Sequence, residues 1–333
     1  MPMFHEFFIG TLDMGRINFG TIGLIPKVVG ASDIRQSRPI TVINVLARIF
    51  AKVCATRLSP VAEWIAHPLQ SAFLKGRRIH DGILPLHEIV HEVASKGLKG
   101  VFLKLDIQKA YDRLDWSFLR LVMQRCVFDK RWCSWIMQLV RSGNMTININ
   151  GEVGPFFQAS MGVKQGDPIS PLLFNFPVDA LAGILDKAKL ASHIQGVVGN
   201  LIPGGGVSHL QNADDTMIMV AGSDSDIVNL KFLLLCFEEI SGLNINFDKS
   251  EVVVLGYSEA EQHRITDSLN SRLAGFPISY LGMPLAESRI LVSGFDPLVG
   301  RVASVRSPGA VRSLLRAARP SSLALTLRAS PCI

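Results

Sequence analysis

At 333 residues, 48% hydrophobic and 19% charged, the chain can bury a large core divided among two or three subdomains, which excludes a small disulfide-dependent scaffold. No stretch approaches the ~18 uninterrupted apolar residues of a membrane span, and the first ten residues lack a secretory pattern. The five cysteines, odd in number and without a C-x-x-C pair, suit reduced thiols in an intracellular compartment. The net charge of +6 is uneven: five arginines lie beyond residue 301, while residues 16–80 hold ten Lys/Arg against Asp33 and Glu63. A basic lobe beside a slightly acidic remainder suits a polyanion held by one and processed by the other.

In chain order, residues 16–30 read as a short extended segment ending in a loop at Lys27, and Arg35 and Arg38 add cations. An apolar run of helical period from Val42 to Leu58 follows, with Arg48, Lys52 and Arg57 on its polar side. Gln70 to Arg78 is a second basic loop, suited with the first to a triphosphate or a nucleic-acid backbone. His87-Glu88-Ile89-Val90-His91 satisfies H-E-x-x-H, a zinc-hydrolase pattern. No third ligand stands out downstream, and Leu86, Ile89, Val90 and Val93 make an ordinary buried stripe on the same helix.

Val101 to Ile107 reads as a buried strand closing on Asp106, an acid at the rim of a sheet. A helical stretch from Trp116 to Val140 gives way to Thr146–Glu152, an alternating run that turns at Asn150-Gly151. In Gly162-Val163-Lys164-Gln165-Gly166-Asp167-Pro168-Ile169-Ser170-Pro171, the glycines permit close backbone approach to a ligand and Gln165 offers a donor and an acceptor. Ser170 as N-cap and Pro171 start a helix through about Lys187.

Asp214 and Asp215 lie between short apolar runs of strand character. Adjacent side chains on a strand point to opposite faces, so both acids can meet one site only at a hairpin tip. Two carboxylates that close repel each other and favour a cation, and with Asp106 as a third they suit two Mg²⁺ ions for phosphoryl transfer. An amphipathic helix from Asp224 to Ser241 ends at Gly242, a strand runs from Glu251 to Leu255, and Tyr280–Leu285 closes the informative part. The order β-α-β-β-α-β, with acids at strand ends, predicts an α+β fold with an antiparallel sheet backed by helices.

Taken together, Asp106 with Lys109-Ala110-Tyr111-Asp112, Gln165-Gly166-Asp167-Pro168 with Ser170-Pro171, Ala213-Asp214-Asp215, Gly242-Leu243 with Asn246 and Lys249-Ser250, and Tyr280 to Leu285 resemble the five motifs of reverse transcriptases from non-LTR (LINE-type) retrotransposons, most closely plant lineages. The resemblance spans Arg16 to Leu285. It implies a right-handed polymerase with fingers over 16–97 and a palm over 98–285, of which 118–155 contributes to the fingers. A stub over 1–15 precedes them, and a degenerate thumb start and low-complexity tail occupy 286–333.

The resemblance also implies an RNA-directed DNA polymerase using two Mg²⁺ ions, with Mn²⁺ as a substitute, on an RNA template, a DNA primer and dNTPs, in the nucleus or cytoplasm. Asp106, Asp214 and Asp215 would hold the metals, and Lys27 and Arg38 the triphosphate. Gln165 and Gly166 would line the nucleotide, and Tyr111 would lie under its sugar. Lys249 would act as general acid, and Tyr280, Leu281 and Gly282 would grip the primer. Two departures are expected to matter: Asn212 replaces the aromatic residue before Ala-Asp-Asp, and the Ser/Ala/Arg-rich sequence after about Val302 departs from a thumb, as a tail translated out of frame would. The rival readings are a relic that at most binds nucleic acid and an intron-maturase-like RNA-binding protein.

Overall fold

The computed structural model describes residues 2–27, 30–149, 151–199, 205–288, 290, 292–296 and 298–300. The sequence after residue 300, including the expected tail, lies outside the described residues. The chain divides into two compact units, Met1–Gly275 and Phe276–Ile333. The boundary falls inside the segment expected to be palm.

The first unit is built on two sheets. One has strand order β2-β1-β4-β5, with β6 also on β4. β1 (Phe19–Pro26) pairs antiparallel with β2 (Ser37–Ile43) and parallel with β4 (Asn144–Ile149), whose other partners are β5 (Glu152–Val153) and β6 (Phe157–Gln158). The helical run expected from Val42 starts later. Ile40 to Ile43 belong to β2, and α2 spans Val45–Ile65 because Asn44 Oδ1 accepts from Leu46 N at 2.8 Å as its N-cap. Arg48, Lys52 and Arg57 face solvent as expected. The presumed stub forms α1 (Pro2–Ile9), which packs Phe4 and Phe7 on Phe50 with ring centroids 4.5 and 4.8 Å apart.

The second sheet has the order β10-β9-β3-β8-β7. β3 (Gly100–Leu105) is its centre, flanked antiparallel by β8 (Asp215–Val220) and β9 (Glu251–Leu255). β7 (His209–Asn212) pairs antiparallel with β8 at one edge, and β10 (Arg272–Leu273) runs parallel to β9 at the other. Val101, Phe102 and Leu103 of β3 are completely buried, as expected of a central strand.

Helices surround this sheet: α3 (Ile79–Ser95), α4 (Ala110–Arg113), α5 (Trp116–Arg125), α6 (Lys130–Arg141), α7 (Ser170–Leu190), α8 (Asp224–Ser241) and α9 (Glu259–Leu269). The single helix expected over 116–140 is two, broken where Val127 takes φ 63° and Asp129 caps α6 through Arg131 N. Helix α7 begins at Ser170 with Ile169 as N-cap, one residue before the expected cap, and extends to Leu190. On α3, Leu86 and Val90 are buried while Glu88 and His91 are exposed. Among the described residues no third metal ligand joins His87 and His91, so the zinc-hydrolase pattern has no site.

In the second unit, β11 (Ile278–Tyr280) and β12 (Met283–Leu285) form a hairpin. Leu281 and Gly282 make its two-residue loop with φ 50° and 80°, the signature of a type I′ turn.

Candidate active site at the tip of the central sheet

Asp106 follows β3 immediately, and the β7–β8 hairpin turns beside it because Leu105 registers with Thr216. Asn212 pairs with Asp215, leaving Ala213-Asp214 as the two-residue loop. Ala213 takes φ 55°, a position that usually calls for glycine. Loop 67–72 fixes that conformation. The buried Gln70 accepts from Ala213 N through Oε1 at 2.9 Å, Ser71 N donates to Gln211 O at 3.0 Å, and Asn212 Nδ2 donates to Ser71 Oγ at 2.8 Å. Asn212 thus anchors the hairpin sideways.

The backbone of Asp106 is held from the other side. Its N–H donates to Ser250 Oγ at 3.1 Å, its carbonyl accepts from Asn246 N at 2.7 Å, and Ser250 Oγ donates to Asn246 O at 2.9 Å. The turn before β9 therefore positions Asp106. Lys249 closes that turn through its backbone, with its side chain exposed.

The three carboxylates sense one another. Loss of water around Asp214 is the main cause raising its pKa, and Asp106 adds repulsion that Arg38 partly offsets. Asp215 is raised by the same desolvation, then by Asp214 and Asp106, with Lys104 working against them. Such a set of hard oxygen donors fits a divalent cation, which would relieve the repulsion. The three do not form a single tight cluster: among the described residues, the only set of three such ligands all within 4.8 Å is His67, Asp186 and His209. Two ions ~3.5–4 Å apart call for a wider spread of ligands than one ion does.

Tyr111 stacks on Phe174 of α7, with centroids 4.7 Å apart and 17° between planes. Burial, and then the charge of Asp214, push its phenol pKa up, which places the ring in the field of the hairpin tip. Gln165 O accepts from Thr41 N at 2.8 Å and thereby ties the Gly-rich loop to β2. The Gln165 side chain hydrogen-bonds Asp112, whose pKa is raised chiefly by burial. Gly166 has φ 105°, and a Cβ there would meet Thr41 O at 2.8 Å. A cleft of about 260 Å³ opens alongside, lined by Thr41, Asp112, Trp116, Lys164 and Gln165.

The expected residues thus divide. Asp106, Asp214, Asp215, Tyr111 and Arg38 are linked through one electrostatic neighbourhood. Lys27 Nζ donates to Arg35 O at 3.4 Å on the exposed β1–β2 connection. In the basic loop read as suited to phosphate, Arg77 is structural, its guanidinium donating to the carbonyls of His67 and Gln70. Tyr280, Leu281 and Gly282 lie in the second unit. Sequence reasoning gave no individual role to Gln70 or Ser71, whose only signal is a polar residue at a position the fold buries, and named Ser250 only as part of a motif.

Residues 25–285 match the reverse transcriptase (RNA-dependent DNA polymerase) family. The chain belongs to that family. This reverse transcriptase domain is 28% identical over 268 residues to the Transposon TX1 uncharacterized 149 kDa protein of Xenopus laevis, covering 77% of this chain and 19% of that protein. It is 30% identical over 226 residues to the Retrovirus-related Pol polyprotein from type-2 retrotransposable element R2DM of Drosophila melanogaster, covering 68% of this chain and 20% of that protein. The chain therefore spans about a fifth of these relatives' length. Its fold is similar to that of Candida tropicalis telomerase solved with a fragment of telomeric RNA, at TM-score 0.56 and 12% identity over 90% of this chain and 52% of that one. Such relatives identify an RNA-directed DNA polymerase domain of non-LTR retrotransposon type. Reverse transcriptases generally use a divalent metal. No described helix is long and apolar enough to cross a membrane.

Proposed function

We propose that this chain adds deoxynucleotides to a DNA primer on an RNA template, with Asp106, Asp214 and Asp215 as its catalytic carboxylates. The observation that carries this reading is the hairpin tip that sets Asp214 and Asp215 beside the end of β3, where Asp106 meets them electrostatically. Two bound Mg²⁺ ions would supply a lowered pKa at the primer 3′-hydroxyl and charge neutralisation at the leaving pyrophosphate.

The protein groups perform the positioning. Arg38, already in the field of Asp214, takes the triphosphate together with Lys27. Tyr111, stiffened by its stack on Phe174, lies under the sugar, where its bulk excludes a 2′-hydroxyl. Gln165 and Gly166 present backbone and amide to the nucleotide from a loop pinned to β2. Lys249 donates a proton to pyrophosphate. The assignment of Tyr280, Leu281 and Gly282 to the primer rests on the family resemblance. On this reading residues 16–97 with 118–155 act as fingers, a grouping supported by the β1–β4 pairing that joins the two segments in one sheet.

Primer extension with RNA template, Mg²⁺ and dNTPs, comparing the chain with Asp214→Ala, tests the proposal. Extension lost at least a hundredfold in the variant supports it, because changes that merely support a metal ligand already cost 10–100-fold. A folded chain that binds template and primer but does not extend the primer would replace it with the relic reading.

A further inference from the structure

A second group of ligand-type side chains lies behind the hairpin. His209 opens β7 and is completely buried. Its Nδ1 is 3.1 Å from Ser208 Oγ, and its Nε2 has no hydrogen-bond partner among the described residues. An unpartnered buried polar atom is costly enough to call for a ligand. The imidazole of His67 faces it, with ring centroids 4.9 Å apart. His67 Nε2 is 2.9 Å from Asp186 Oδ2 on α7. The other oxygen of Asp186 is engaged by Lys189 Nζ at 3.5 Å, which leaves Oδ2 as the ligand atom.

We propose that His67, Asp186 and His209 form a zinc site that fastens the base of the β7–β8 hairpin to α7 and to the loop after α2, separate from the carboxylates at the hairpin tip. Two imidazoles and one carboxylate are the donor set that zinc accepts and Mg²⁺, which prefers oxygen, does not. The ligand atoms lie within 4.8 Å of one another. Tetrahedral zinc–ligand bonds of ~2.0–2.2 Å place ligand atoms ~3.3–3.6 Å apart, so the wider separations draw in by about 1 Å while the 2.9 Å His67–Asp186 pair opens slightly, with water in the fourth position. His67 and Asp186 are 17% and 35% exposed, which gives an ion and its water a way in from solvent.

Outer contacts are in place. The backbone N of His67 donates to Asp179 Oδ2 at 3.0 Å, Ser208 Oγ steadies His209, and Lys189 Nζ also donates to Gly206 O at 3.0 Å. In the metal-free arrangement His67 Nδ1 accepts from Leu69 N at 3.2 Å, so the ring proton is on Nε2. Zinc binding at Nε2 moves that proton to Nδ1 and gives up the Leu69 bond, with no net release. The site lies five residues before Asp214 in sequence, and a bound ion would stiffen the strand that carries the tip.

The test is direct titration of the chelator-stripped full chain with Zn²⁺ alone. Bound metal is measured by mass spectrometry, and Co²⁺ is used in parallel to read the absorption bands of tetrahedral coordination. One equivalent is expected, with melting temperature rising as it binds. Asp186→Ala and His67→Gln, both at partly exposed positions and checked for folding by circular dichroism, should each weaken binding at least tenfold. Asp214→Asn should leave it unchanged. Absence of a bound equivalent overturns the proposal, as does an equivalent that survives both ligand variants. Loss of the ion only in Asp214→Asn also overturns it, by placing the metal among the tip carboxylates.

Discussion

Gln70 Oε1 accepts a 2.9 Å hydrogen bond from Ala213 N, and the same oxygen accepts from Ala72 N at 3.0 Å. One buried amide, 143 residues away in sequence, therefore holds the left-handed residue beside Asp214. Replacing Gln70 with Leu leaves two buried N–H groups without an acceptor, at about 1–3 kcal/mol each. Urea unfolding of Gln70→Leu should show a loss of about 2–6 kcal/mol. A loss below 1 kcal/mol, within the range of ordinary surface changes, would mean that the hairpin does not depend on this amide.

Tyr111 lies flat against Phe174 and close enough to Asp214 for that charge to raise its pKa. Tyr111→Val removes the ring and leaves Phe174 exposed toward the site. Incorporation of ribonucleotides relative to deoxynucleotides should rise at least tenfold, a difference of about 1.4 kcal/mol in the competing barriers. Single-nucleotide insertion assays with dNTP and rNTP would measure it, and an unchanged ratio would remove Tyr111 from the sugar pocket.

Gly166 combines φ 105° with a Cβ direction that runs into Thr41 O at 2.8 Å. Gly166→Ala must move the Gln165 loop away from β2 or strain it, and residues forced into such backbone regions cost about 1–3 kcal/mol. The expected result is a stability loss of that size with a larger KM for dNTP, since Gln165 and Gly166 are the residues proposed to line the nucleotide and the loop is pinned to β2 through Gln165 O. Steady-state extension kinetics paired with thermal unfolding would separate the two effects.

Lys164 Nζ donates to Asn18 Oδ1 at 2.6 Å, and burial holds its pKa down from 10.5 to about 8, with Asp167 opposing. The folded chain releases this proton before the unfolded one does. Between pH 8 and 10.5 the unfolded state binds more protons, so stability rises with pH across that window and is flat on either side. Relative to Lys164→Met, the wild type should gain on the order of 3 kcal/mol across it. Parallel pH profiles for the two proteins would show that the amine titrates normally.

Much of the central sheet was legible in the sequence because its physics is local. Val101 to Leu105 is a mostly apolar run of the kind that buried central strands use, and Asp106 ends it. The pair Asp214-Asp215 between apolar runs forces a turn, and the structure forms that turn with Ala213-Asp214. The errors came where a neighbour outweighed pattern. Pairing with β1 drew Val42 and Ile43 out of an expected helix into β2, and Asp129 restarted a helix that periodicity alone would have continued. The loop Gln70 to Arg78 looked suited to phosphate because charge is visible in sequence, whereas the carbonyl partners of Arg77 are not.

The order of the motifs, the carboxylates and the family were determined by the sequence itself, since spacing and residue type carry them. Only the tertiary structure decided that Gln70 and Asn212 tie the hairpin to loop 67–72, that Ser250 holds Asp106, and that His67, Asp186 and His209 meet. Except for Asp186 with His209, these contacts join residues more than a hundred positions apart, and contacts over such separations leave no period or spacing in the chain.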